Sequence, residues 1–122
     1  MTMITSVKNW LKNFFGSEET AEEAPVDMDM TNKIRKAGRA HGRVQGVGFR
    51  FFVQTEAKRR GVTGWVKNMD DGTVTMEIQG TPEKLESLIE RLKKGNGFAK
   101  VSQLDLDDID PVRGELKFGI LY

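Results

Sequence analysis

Arg50 closes the run Gly42-Arg43-Val44-Gln45-Gly46-Val47-Gly48-Phe49-Arg50, two residues after one glycine and four after another. These types at this spacing suit the binding of an oxyanion. Gly46 and Gly48 lack a Cβ, so the backbone there can take left-handed φ and approach a bound group closely. Successive N–H groups in such a turn converge on a concavity that holds an anion. A helix starting at Phe49 would add the positive end of its dipole. Arg50, in that first turn, carries a planar fork of donors matched to phosphate. Gln45, Gly46, Val47, Gly48, Phe49 and Arg50 are therefore the candidate phosphate-binding residues. Gly-x-Gly before a helix also occurs as a plain turn, so the run by itself leaves both readings open.

The rest of the composition narrows the chemistry. The chain of 122 residues is long enough for one domain of ordinary size. It has no cysteine, which removes disulfides, thiol nucleophiles and thiolate metal sites. A single histidine, His41, rules out a His-His metal motif; it reads as structural or solvent-facing. The net charge of +1 provides no overall field for nucleic acid or an anionic membrane. No apolar run approaches the roughly 20 residues of a membrane span, and the N-terminus lacks the pattern of a secretory signal. The absence of cysteine does not fix the compartment; a cytoplasmic monomer without cofactor or metal is the expectation.

Elements must deliver the glycine loop. Residues 36–44 are expected as a strand running into it, although Gly38, Ala40 and Gly42 offer little bulk for one. Phe49, Phe52, Val53 and Ala57 mark one helix face. Lys58, Arg59 and Arg60 then suit the negative helix end better than a nucleic-acid patch, with Gly61 as the terminating residue. A strand over 62–69 leads to the hairpin signal Asp71-Gly72. Residues 73–79 alternate: Val74, Met76 and Ile78 on a buried face, Thr73, Thr75, Glu77 and Gln79 on a solvated one. Thr81 caps a second helix with Pro82 at its first position, and Leu85, Leu88, Ile89 and Leu92 form its apolar stripe. Residues 101–106 read as a strand and 107–114 as a polar connection. Phe118, Ile120 and Tyr122 alternate in a last short strand. The order is α+β, a ferredoxin-like βαββαβ sandwich with two helices on one face of a mainly antiparallel sheet and an extra short C-terminal strand.

Residues 1–35 differ in character and read as an N-terminal extension, with the domain over 36–122. Met1-Thr2-Met3-Ile4-Thr5 resembles the start of the beta-galactosidase fragment carried by cloning vectors, and is set aside from fold reasoning. Val7, Trp10, Leu11, Phe14 and Phe15 recur at helical spacing between Ser6 and Gly16. This is the form of an interfacial helix, but a short one with few basic residues, so membrane contact is not the favoured reading. Residues 17–29 hold six acidic residues and no basic one, as in a solvated linker.

Two long motifs together resemble one family, the acylphosphatases. The run from Gly42 to Arg50 is similar to the family's first signature. Gly64-Trp65-Val66-Lys67-Asn68, followed by Asp71-Gly72-Thr73-Val74 and Gln79-Gly80, is similar to its second, with Ala57 and Gly61 at the family's spacing between them. The resemblance spans about residues 36–122. Gly38 and Ala40 depart from the bulkier apolar residues usual in the first strand. The resemblance implies a small, metal-independent hydrolase that cleaves acyl phosphates to a carboxylate and inorganic phosphate. It implies Arg50 as the phosphate-binding arginine and Asn68 as the residue that positions the attacking water. The chemistry is consistent with that allocation. An acyl phosphate carries a good leaving group, so positioning and charge stabilisation suffice. An amide is no general base, but it can fix a water; a substrate phosphoryl oxygen would take the proton. Asn68 could instead serve the turn that follows it.

The competing readings are ferredoxin-like modules without turnover. RNA-recognition domains share the topology but carry stacking aromatics on the open sheet face, where residues 73–79 offer threonines, Glu77 and Gln79. A regulatory domain that keeps a phosphate pocket is the other alternative, which fold alone does not separate from an enzyme.

Overall fold

Seven elements follow one another in the computed structural model, which describes residues 30–122: β1 (Ile34–Arg43), α1 (Phe49–Arg59), β2 (Thr63–Asn68), β3 (Val74–Gly80), α2 (Pro82–Lys94), β4 (Lys100–Ile109) and β5 (Phe118–Leu121). The helix expected over residues 6–16 and the acidic stretch 17–29 lie outside the described residues.

The strands form one sheet in the order β4-β1-β3-β2-β5. All neighbouring pairs are antiparallel except β2 and β5, which run parallel. Because β1 and β2 both run antiparallel to β3, they are parallel to each other. Their C-terminal ends, with that of β5, therefore emerge at one end of the sheet. The register fixes this closely: Val74 pairs with Ala40 on one side and with Asn68 on the other. The glycine loop, Asn68 and the C-terminus are brought together by strand direction.

Local chemistry accounts for the elements. The Thr81 hydroxyl accepts from Lys84 N at the start of α2, with Pro82 in its first turn; such a cap contributes about 1 kcal/mol. Leu85, Leu88, Ile89 and Leu92 are buried on the face expected. They pack in one cluster with Val74, Met76 and Ile78 of β3, and with Phe49, Phe52, Val53 and Ala57 of α1. Arg60 closes α1 as expected of a C-terminal cation. Its guanidinium donates to Glu56 O at 3.0 Å and Glu56 Oε1 at 2.7 Å, and reaches Ser87 Oγ on α2 at 2.9 Å.

The weak composition of β1 has a steric reason. A Cβ on Gly38 would lie 3.1 Å from Met76 Cγ and 3.2 Å from Leu106 Cδ2, so neighbouring side chains occupy the space a larger residue would fill. At Gly42, where φ is +114° and the β1–β4 register shifts, a Cβ would fall 2.2 Å from Lys100 O. The glycine there is required by close backbone approach at a bulge.

The outer sheet face differs from expectation. Gln79 and Thr73 are both buried rather than solvated. Gln79 Oε1 accepts from Val112 N at 2.7 Å while its Nε2 donates to Val112 O at 2.8 Å, which fastens the β4–β5 connection across this face. Arg35 is buried beneath the same connection, bonded to Glu77 at 2.8 Å and to both carboxylate oxygens of Glu115 at 2.8 and 3.2 Å. Burial would lower the Arg35 pKa, but the hydrogen bonds and charges of Glu115 and Glu77 outweigh it and hold it above its ordinary value. The alternation of β3 reports its inner face correctly; it does not report that a later segment covers part of the outer one. Trp65, opposite Glu77, also stands on this outer face. The strand expected over 101–106 is longer, running to Ile109, which shortens the polar connection.

Candidate active site

The loop between β1 and α1 is shaped by two left-handed glycines, Gly46 at φ +74° and Gly48 at φ +75°. Gly48 is also the residue that starts α1, and its carbonyl accepts the first helical bond from Phe52 N at 3.0 Å. The start of α1 carries no acidic residue in its first turn and no side-chain cap. Its N–H groups and positive dipole end are thus available to an anion.

Two amide side chains hold this loop from opposite sides. Gln45 Nε2 donates to Met69 O at 2.8 Å and Thr73 O at 2.9 Å, both in the β2–β3 turn. Asn96, in the turn after α2, donates from Nδ2 to Val47 O at 2.8 Å. Its Oδ1 accepts from Phe98 N at 3.0 Å and Ala99 N at 2.8 Å, so its orientation is fixed at both ends. The β2–β3 turn is itself stiffened by Asp71 Oδ1, which accepts from the hydroxyl and the N–H of Thr73 at 2.6 and 3.0 Å. These bonds hold the Asp71 carboxyl below the usual carboxylate range.

A cavity of about 270 Å³ opens at this end of the sheet, lined among others by Gly46, Gly48, Arg50 and Asn68. Asn68 is the last residue of β2, and its buried Oδ1 has no hydrogen-bond partner among the described residues. A buried acceptor without a partner is costly, and an amide oxygen in that position can accept from a water. The Arg50 guanidinium is steadied by the chain's end. Its Nη1 lies 3.4 Å from Leu121 O and its Cζ 4.9 Å from the centre of the Tyr122 ring.

Comparison with known proteins identifies the family. The family model described as Acylphosphatase matches residues 36–120. The chain belongs to the acylphosphatase family. It is 48% identical over 89 residues to an acylphosphatase of Clostridium beijerinckii, covering 73% of this chain and 99% of that protein. It is 51% identical over 81 residues to one from Geobacillus kaustophilus, covering 66% and 86%. The crystal structure of acylphosphatase from Bacillus subtilis superposes with a TM-score of 0.70 at 42% identity, over 73% of this chain and 99% of that one.

Within this acylphosphatase fold, the residues proposed from sequence separate into two groups. Gly46, Gly48, Phe49, Arg50 and Asn68 line the cavity. Gln45 and Val47 do not line it; their observed bonds join the loop to the hairpin and to Asn96. His41 lies outside the cavity, with Nε2 2.9 Å from Asp105 Oδ2. Val44, Phe51, Ile120 and Tyr122 also line the cavity and were not among the sequence candidates. Phe51 could have been found, since its neighbour Arg50 was. Ile120 and Tyr122 carried only the alternation of a short strand, with nothing to indicate which end of the sheet they reach.

Proposed function

We propose that this chain hydrolyses acyl phosphates to a carboxylate and inorganic phosphate at the cavity between the glycine loop and Asn68. The observation that carries this reading is that Arg50, the two loop glycines and Asn68 line one cavity, and that the buried Asn68 Oδ1 has no hydrogen-bond partner among the described residues. The loop amides and the Arg50 fork hold the phosphoryl oxygens and stabilise charge gathering on them. Asn68 accepts from a water and sets its line of attack on phosphorus. The new P–O bond forms as the bond to the acyl oxygen breaks, and that electron pair leaves with the carboxylate. The proton of the water passes to a phosphoryl oxygen. Charge stabilisation and positioning are the main contributions available to a protein in phosphoryl transfer. A cytoplasmic monomer belongs to the same proposal.

The test is release of inorganic phosphate from benzoyl phosphate, with phosphate as a competing ligand. Turnover should persist in excess chelator. Activity lost with chelator and restored by a divalent ion would overturn the metal-independent reading. Phosphate binding with no turnover would favour a regulatory module instead. The proposal assigns nothing to residues 1–35: a chain beginning at Asn32 should melt and turn over like the full one, and a large drop in melting temperature would reverse that assignment.

A further inference from the structure

The geometry points to a binding subsite for an apolar, flat acyl group beside the phosphate cradle, formed by Phe51, Ile120 and Tyr122. This inference rests on the acyl phosphate reading and names the class of acyl group that the site favours.

The cavity has two chemically distinct parts. Gly46, Gly48, Arg50 and Asn68 supply amides, a cation and an acceptor; Phe51, Ile120 and Tyr122 supply hydrocarbon and aromatic surface. Two of the latter are strongly exposed, Phe51 at 68% and Tyr122 at 90%. Large aromatic side chains left in water contribute little to folding, and where two of them line a cavity that also holds polar groups they offer apolar surface to a ligand. Phe51 directly follows Arg50 in the first turn of α1, and the Tyr122 ring stacks against the Arg50 guanidinium. The aromatic surface is therefore continuous with the group proposed to hold the phosphoryl.

An acyl phosphate has the same two-part character, a doubly charged phosphoryl joined through one oxygen to an acyl group. With the phosphoryl in the loop, the acyl group has to leave through the same cavity. At about 270 Å³ this cavity approaches the lower end of small-molecule pockets, roughly 300–1,000 Å³, which leaves space beyond the cradle. An aryl group placed there would cover aromatic surface. An acetyl group would leave most of it wet. The subsite should act on affinity and on kcat/KM, without taking part in bond breaking.

The experiment compares benzoyl phosphate with acetyl phosphate in the full chain and in Phe51→Ala. The intrinsic reactivities of the two substrates cancel when the ratio of their kcat/KM values is compared between proteins. Phe51→Ala should lower the benzoyl-to-acetyl ratio about three- to tenfold, the scale of one aromatic contact. Phe51→Leu, which keeps apolar area, should recover part of it. Binding of benzylphosphonate and methylphosphonate, measured by calorimetry, gives a readout that needs no turnover; the benzyl compound should bind more tightly, and Phe51→Ala should erase most of the difference. An unchanged ratio in an active enzyme would overturn the subsite and leave the hydrolysis reading standing. Tighter benzylphosphonate binding through Phe51 in a protein without turnover would keep the subsite and overturn the hydrolysis reading. Equal binding of the two phosphonates would overturn the subsite.

Discussion

Gln45 Nε2 lies 2.8 Å from Met69 O, so the phosphate loop is bonded to the residue that follows Asn68 in the chain. The proposed cation and the proposed water-positioning amide come from different elements, 18 residues apart by number, yet one side-chain amide ties their supports together. Thr73 O accepts from the same nitrogen and in turn pairs with Met69 N at 2.9 Å, which closes the junction. Preorganisation of this kind is worth most where a small misplacement of the reacting groups is costly.

Arg50→Ala should lower kcat/KM for benzoyl phosphate by about 10³-fold or more, on the scale of arginines that stabilise a transferring phosphoryl group. Arg50→Lys should recover little, because a point charge lacks the planar fork. Near-normal turnover in Arg50→Ala would refute its role. The melting temperature should hardly move, since the guanidinium's contacts are one long bond to Leu121 O and a stack on an exposed ring.

Asn68→Ala should separate turnover from binding. Loss of one preorganised polar group costs roughly 10²–10³ in kcat, while the loop and Arg50 remain to bind phosphate. The inhibition constant of inorganic phosphate is the deciding measurement. Normal turnover with weakened phosphate binding would move Asn68 into the cradle.

Asn96→Ala should loosen the loop by removing the donor to Val47 O and both acceptor bonds of the turn. We expect phosphate inhibition and KM to weaken by about tenfold, short of the roughly 10²-fold that a 1 Å displacement can cost. Asn96→Asp retains the acceptors for Phe98 N and Ala99 N but loses the donor, so it should stay folded and still bind phosphate poorly. A fall in melting temperature with unchanged phosphate inhibition would leave Asn96 as part of the turn alone.

Glu56 gives a pH prediction. Its carboxylate is buried on α1; the hydrogen bond from Arg60 holds its pKa below the ordinary value against burial, with the charges of Arg59 and Arg91 adding to it. A pKa depressed on folding stabilises the protein above the unfolded value, ordinarily about 4.5, and that contribution disappears as the pH falls through the lowered folded value. Glu56→Gln should therefore cost up to about 1.5–3 kcal/mol at pH 7, the range for hydrogen bonds to a charged group. The difference between variant and parent should shrink in denaturant titrations carried out progressively below pH 4.5. A gap that stays constant into acid would mean that the carboxylate charge is not what stabilises this joint.

The sequence determined what is local. Gly46 and Gly48 specify a left-handed turn because other side chains resist that φ, and Arg50 follows at fixed helical distance. Thr81 and Pro82 specify the start of α2, and the alternation of Val74, Met76 and Ile78 specifies the buried sheet face. Periodicity and turn chemistry encode such features within a few residues. Tertiary structure decided the rest. Parallel pairing of β5 with β2 brings Leu121 and Tyr122 to Arg50 across 71 and more positions. Asn96 reaches Val47 across 49. Arg35 is buried against Glu115 across 80, which turns positions expected in solvent into part of the interior. No spacing rule records these contacts. They follow from strand order and direction, which depend on how all the elements bury their apolar faces together.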